Sequence, residues 1–485
     1  MQKKVLSLTI LLAAVFFLAI AFNISPYLRG PGVYPPDWRW PYQFSASSLP
    51  KVWAPFLLFI ALFWLINKYD SKEKEIKNHE KALISFVIVW LYLFVFSILF
   101  FSRSGISVLI ERIISPGANG QFTASLQIHN LISYLSTFAD IVPALTMHAK
   151  SHPPGGIVLF WLFEVIFQHL PNSGIIAHLT PSTPSVAKIW LGLLQNQKET
   201  AVFSSLFIPF LVALPVAPLY YLTKIIFNVK TAFRSSVIYS TVPSVIFFVP
   251  LLDAFYTIFP LLALIFIILA VEKNNLKFAY MSGLILAFGL FFSLSIAPFL
   301  LFYFVCLLLL LNQKYKFSQL INKLMESYLA LIAGLLSFLL FLLIFLNTNF
   351  FTITAAVLSK GMVQRSYFPW VFYNFYDFFV FAGIPVSVIF ILLLKDLIGN
   401  FIKYKRSKEI VMLIPFLTTL FTVDALGLVR GEAGRIWLIF IPFLVVPMAR
   451  FLTENLKFNS KYFLIFIFIQ FIQVLIMQTF WVMLW

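Results

Sequence analysis

Apolar runs recur along this chain at lengths that fit a membrane. About 20 residues of α-helix, rising 1.5 Å each, cross a hydrocarbon core of ~30 Å. On that length the pattern predicts helices over 5–22, 52–67, 82–101, 200–222, 235–252, 254–271, 278–292, 296–311, 327–346, 370–394, 409–425, 435–452 and 462–485. The expected fold is therefore an all-α polytopic membrane protein with about thirteen spans. One run does not fit. GIVLFWLFEVIF at 156–167 covers only ~18 Å at helical rise, which predicts a short re-entrant or interfacial helix.

Charge decides how that short run is placed. With a cytoplasmic N-terminus and no crossing at 156–167, the basic loops at 68–81, 224–234, 273–277, 314–323, 403–408 and 457–461 all face the cytoplasm. Then 23 of the 35 Lys and Arg residues lie inside, while the 18 acids divide nine and nine. A crossing there would place either the 68–81 loop or every later basic loop on the wrong side of the positive-inside rule. Residues 103–199 accordingly form one long extracytoplasmic loop in a multi-pass cell-membrane protein.

Composition agrees with this class. The chain has 485 residues, 61% of them apolar and 11% charged, with 59 Phe. The net charge of +17 lies in short loops between apolar runs rather than on one soluble face, so topology explains it and a nucleic-acid partner is not indicated. The one cysteine, Cys306, sits inside an apolar run and excludes a disulfide framework or a cysteine metal cluster.

The cytoplasmic loops are short and basic, so chemistry is expected on the outer face. An ionisable group near a helix end there is costly unless it is paired or faces water. HAKSHPPGG at 148–156 is the most polar interruption. Asp140 lies eight residues before His148 and twelve before His152, close enough for a folded loop to join a base to its orienting partners; a helix cap or surface carboxylate is the alternative. His148 and His152 have i, i+4 spacing but no intervening Glu, and Pro153 biases His152 away from helix. The catalytic candidates are Asp140, His148 and His152, no metal site is assigned, and a divalent metal has no supporting pattern. Pro153 and Pro154 suit a helix start, and Gly155 and Gly156 permit close backbone approach, so an exposed helix N-terminus could receive an anion.

Arg430 and Arg435 flank Glu432 in LVRGEAGRIW and, with Lys150, are candidates for a lipid-linked phosphate, because guanidinium offers planar bidentate donors. Snorkelling and a local Arg–Glu pair are the alternatives. Arg365, Tyr373, Asn374 and Asp377 mix cation, aromatic and polar groups that suit a sugar, and Asp37 and Trp38 repeat the mixture in RGPGVYPPDWRWPY. An interfacial aromatic belt would use the same residues.

The order of these features resembles the C-type integral-membrane glycosyltransferases, nearest the branch of protein O-mannosyltransferases and lipid A aminoarabinose transferases. The resemblance covers roughly residues 82–300. It rests on HPPGG at 152–156 after a long outer loop, the basic turn in YYLTKIIFNVK, and the outer Asp253 in VPLLDAFYTIFP; GEAGRIWLIFIPF also resembles the C-terminal part of such proteins. Residues 1–81 would be a two-helix addition, 82–300 the transferase-like core, and 301–485 the helices completing the site. The resemblance implies transfer of a sugar from a polyprenyl-phosphate donor to a glycan, lipid or protein acceptor on the outer face, usually with inversion. A loop Asp would serve as base or orient the acceptor, and Arg or Lys would hold the phosphate; Asp253 and Glu432 would join the substrate-binding groups. The sequence departs from that pattern at SPGANGQFTASL, 115–126, which has no acid. Asp140 is then the one Asp within 103–199, with Glu111, Glu164 and Glu199 as other acids and Asp37 able to reach in from the first loop.

A transporter or flippase of a lipid-linked or amphiphilic substrate is the competing expectation. It predicts internal repeats and mid-membrane ionisable residues, whereas these acids gather at one face. The transferase reading requires Asp140, the 148–156 patch, Arg430 and Arg435 to converge within ~10–15 Å, a reach of two or three side chains.

Overall fold

A computed structural model describes residues 2–33, 37–44, 46–167, 181, 183–360, 365–400, 404 and 407–482. Parts of the predicted 103–199 and 403–408 loops and of the last predicted span therefore lie outside the described residues. Those described form helices and turns, with one isolated bridge between Tyr42 and Trp481. Among the described residues, eight helices are long and apolar enough to cross a membrane, and up to nine if a bent pair counts as one. The chain is thus an all-α polytopic membrane protein.

Local chemistry starts and stops the helices where the polarity changes. Asn228, Asn275 and Asn459 each accept a backbone N–H from the first turn that follows, at 2.8, 3.0 and 2.9 Å, as side-chain oxygens do at helix N-caps. The 30-residue helix Phe317–Leu346 ends on Asn347 at φ +47°, a left-handed stop that Asn tolerates. Two glycines then let neighbouring helices touch. A Cβ on Gly283 would lie 1.8 Å from the Leu331 carbonyl oxygen, and one on Gly334 would lie 1.9 Å from that of Tyr280. Small residues of this kind bring helix backbones together in membranes.

Three predicted spans are broken. The 200–222 run is two helices, Gln195–Ala213 and Val216–Ile226, parted at Leu214–Pro215. The 235–252 run starts earlier, as Val229–Ser240 followed by Pro243–Phe247, because Pro243 lacks the N–H to continue the first helix. The 370–394 run is divided into Tyr367–Ala382 and Ile384–Gly399, bent by 115° at Gly383. That break exposes backbone groups in an apolar setting, where each must find a partner. Gln473 accepts the Ile384 N–H at 2.7 Å and donates to Val380 O at 2.8 Å, while Gln470 donates to Ala382 O at 2.7 Å. Both glutamines are fully buried on the last helix, Ser460–Phe480.

Polar contacts concentrate at the two ends of the bundle. At one end Arg234 donates to both Asp70 oxygens at 2.6 Å and to Phe458 O, with both charges fully buried. Lys224–Glu80, Asn228–Glu454 and Arg450–Glu454 lie at that end too. The first helix, Gln2–Ala21, packs beside the helix Ser460–Phe480. At the other end lie Trp40, His148, His152, Asp253, Arg365, Asp377 and Arg435.

Candidate functional site

The 148–156 stretch is shaped by its prolines and glycines. A short helix, Met147–Lys150, ends at Ser151, and after Pro153 the chain turns into Gly155–Phe167. Thirteen residues span only ~20 Å, short of the hydrocarbon thickness. The start of this helix is buried, not exposed. A Cβ on Gly155 would lie 2.5 Å from Phe291 O, and one on Gly156 would lie 2.1 Å from Gln121 Oε1. The glycines do permit close approach, but the occupants are the Phe291–Phe292 backbone and the Gln121 side chain rather than a space for an anion.

A pocket of about 280 Å³ opens beside this junction. It is lined by His148, His152, Asp253, Arg435, Asn119, Gln121 and Tyr256, with Ala118, Leu251 and Leu252. Four of the sequence candidates therefore meet from three distant segments. Asp253 enters from the first turn of Asp253–Tyr256, and Arg435 from the short helix Ala433–Ile436. Asn119, Gln121 and Tyr256 were not anticipated. For Asn119 and Gln121 the signal was the polar pair flanking Gly120, where the chain turns at φ +68°; Tyr256 carried none.

Electrostatics distinguish the groups in this pocket. Burial, reinforced by Arg435, lowers the His148 pKa to about 4, against a smaller opposing pull from Glu432. Burial also lowers His152, with Asp253 pulling up and Arg435 pushing down. Both imidazoles are therefore neutral at neutral pH, each with one donor and one acceptor nitrogen. They supply hydrogen bonds rather than charge, and among the described lining residues the cation is Arg435. His152 Nδ1 and Gln121 Oε1 are buried without a hydrogen-bond partner among the described residues, a costly state unless water or a ligand meets them.

Arg365, Asn374, Asp377, Arg430 and Glu432 form a latch next to the pocket. Glu432 accepts Arg365 at 2.7 Å and Arg435 at 2.9 Å. Burial pushes the Glu432 carboxyl up, but Arg435 and Arg365 together hold it below the usual range. Arg365 also donates to Arg430 O at 2.9 Å, and Arg430 to Arg365 O at 3.1 Å. Asn374 donates to Asp424 and to Val429 O, both at 2.8 Å, and accepts the Gly431 N–H. Asp377 accepts Trp40 Nε1 at 3.1 Å and the Gly434 N–H at 2.7 Å. Asp37 accepts Trp370 Nε1 at 3.0 Å, and Arg365 lies 5.9 Å from the Trp38 ring centroid. Tyr373 is half-buried against Trp370. Arg365, Asn374 and Asp377 thus bind the turn that carries Glu432 and Arg435, and Asp37, Trp38 and Tyr373 pack against Trp370 and Arg365.

The other acids lie apart from the pocket lining. Asp140 is exposed on Phe138–Ile141, a short helix packed near Phe350–Lys360. Lys150 is half-buried, and neither it nor Arg430 lines the pocket. Glu111 accepts Thr183 Oγ1 at 2.9 Å, and Glu199 is buried on the helix Gln195–Ala213. Among the described residues, no three His, Cys, Asp or Glu side chains group as metal ligands. Comparison of the chain with known protein families, characterised proteins and solved structures finds no match. Fold and site together define a polytopic helical membrane protein with a carboxylate, two neutral histidines and an arginine around one pocket at one end of its bundle.

Proposed function

We propose that this protein transfers a sugar from a polyprenyl-phosphate donor to an acceptor hydroxyl on the extracytoplasmic side of a cell membrane. The observation that carries the reading is the meeting of Asp253, His152 and Arg435 around one pocket at a polar end of the bundle. The Asp253 carboxylate takes the acceptor proton, or orients the hydroxyl, in place of the exposed Asp140. The acceptor oxygen bonds to the anomeric carbon as the bond to phosphate breaks, and the electron pair leaves on the phosphate oxygen. Arg435, held by Glu432, stabilises that charge as a preorganised cation. The neutral His148 and His152, with Gln121 and Asn119, position hydroxyls. In this reading the chain crosses thirteen times with its N-terminus inside, which puts the basic loops in the cytoplasm and the pocket outside.

The test is transfer by the purified full chain in vesicles, assayed with a panel of polyprenyl-phosphate sugars and with glycan, lipid and peptide acceptors. Sugar transfer that depends on a lipid-phosphate donor is expected. Movement of a lipid-linked substrate across the vesicle without any transfer would instead establish a transporter.

A further inference from the structure

The glycines of HPPGG take no part in the proposed chemistry, yet one of them sets a side chain of the pocket. Gly156 is buried in the first turn of Gly155–Phe167, and a Cβ there would lie 2.1 Å from Gln121 Oε1, 2.7 Å from its Cδ and 3.1 Å from its Nε2. A larger residue would claim the space of the whole amide. Gln121 opens the short helix Gln121–Ser125 directly after the turn at Gly120, and only 6% of it is exposed. Gly120 thus aims its backbone and Gly156 leaves room for its side chain.

The main chain of Gln121 is satisfied, but its side-chain oxygen is not. The N–H donates to Asn119 Oδ1 at 3.3 Å. Oε1 is buried with no hydrogen-bond partner among the described residues, and His152 Nδ1 in the lining of the same pocket is in the same state. Two such atoms at one cavity mark a place for a hydrogen-bonding occupant. A neutral amide and a neutral imidazole each combine donor and acceptor. A hydroxyl does the same, whereas an ammonium only donates and a carboxylate only accepts, so the hydroxyls of an uncharged sugar are the match.

We propose that Gln121, positioned by Gly156, selects the donor by hydrogen-bonding a ring hydroxyl of an uncharged hexose. The proposal rests on the sugar reading of the pocket, but binding tests it apart from transfer. Native mass spectrometry of the full chain measures affinity for polyprenyl phosphate and for the same lipid carrying glucose, mannose or galactose. One hexose lipid should bind more tightly than the bare lipid phosphate, and at least one of its monodeoxy analogues should bind about 10- to 100-fold more weakly, as when a buried polar group loses its partner. Gln121→Met should weaken hexose binding until that analogue binds equally well. Gly156→Ala should reproduce the loss with Gln121 still present, because its methyl group meets only the end of a flexible side chain. Thermal unfolding matched to the parent verifies that each variant folds, and Gly156→Ala decides the matter where Gln121→Met does not fold. Equal affinity for every lipid, equal affinity for the hexose and all its deoxy analogues, or unchanged discrimination in the folded variants would overturn the proposal. Discrimination without any sugar transfer would uphold it while removing the transferase, and transfer without discrimination would do the reverse.

Discussion

Replacing Glu432 with Gln should loosen the turn that carries Arg435. Glu432 is 7% exposed and lies between two guanidiniums, with Arg365 at 2.7 Å and Arg435 at 2.9 Å. The amide keeps the volume and one acceptor oxygen but removes the negative charge. Breaking a buried pair by removing one partner costs about 3–5 kcal/mol, because the opposite charge stays buried. Retained hydrogen bonding places Glu432→Gln near the lower value, about 3 kcal/mol. Glu432 sits at φ +58°, and Gln bears the same backbone strain, so that contribution cancels. Thermal unfolding of the reconstituted protein reads the loss. Combining the change with Arg365→Met should cost less than the two single losses added together, since both act on one pair. An unchanged unfolding temperature for Glu432→Gln, or strictly additive losses, would refute the latch.

Further outcomes follow from the same packing and charges. As pH falls, His148 in the unfolded chain takes up a proton near 6.5 while the native residue holds out to about 4, so native stability falls across that window by up to about 3 kcal/mol. Urea titrations at several pH values should show this loss reduced in His148→Gln. Gly283→Ala pushes a methyl group toward the Leu331 carbonyl and should cost about 1–3 kcal/mol by forcing two helices apart, visible as a lower unfolding temperature. At the opposite end Arg234→Met should cost about 3–5 kcal/mol by stranding buried Asp70, while adding Asp70→Leu should recover much of the loss.

The helical, membrane-embedded class was legible because hydrocarbon requires long apolar runs and leaves little choice of backbone. The helix after HPPGG was legible in the same way, and its described residues, Gly155–Phe167, coincide with the apolar run. Breaks in the spans were not: Gly383 gives no apolar signal, and Gln470 and Gln473, which satisfy the break, lie far away in sequence. The pocket was legible in part. His148, His152, Asp253 and Arg435 each stood out as polar residues near apolar helix ends, and all line it. Proximity in sequence did not indicate which acid lines the pocket, however. Asp140 lies near the histidines along the chain but on the surface, whereas Asp253 reaches them through folding. At the 365–377 cluster, residue type alone left a ligand site and a structural role equally open. Arg, Asn, Asp and Trp bind a polar ligand and a buried turn with the same hydrogen bonds, and only the tertiary contacts distinguish the two uses.

The direct measurement of the central claim is sugar transfer by Asp253→Asn, Arg435→Ala and Asp140→Asn proteins, reconstituted in parallel and matched for folded amount. Loss of a base reduces rate by about 10²–10⁴-fold, and loss of a charge-stabilising donor by about 10²–10³-fold. Asp253→Asn and Arg435→Ala should fall by such factors while Asp140→Asn retains near-full activity. Full activity in Asp253→Asn, with loss confined to Asp140→Asn, would contradict the account.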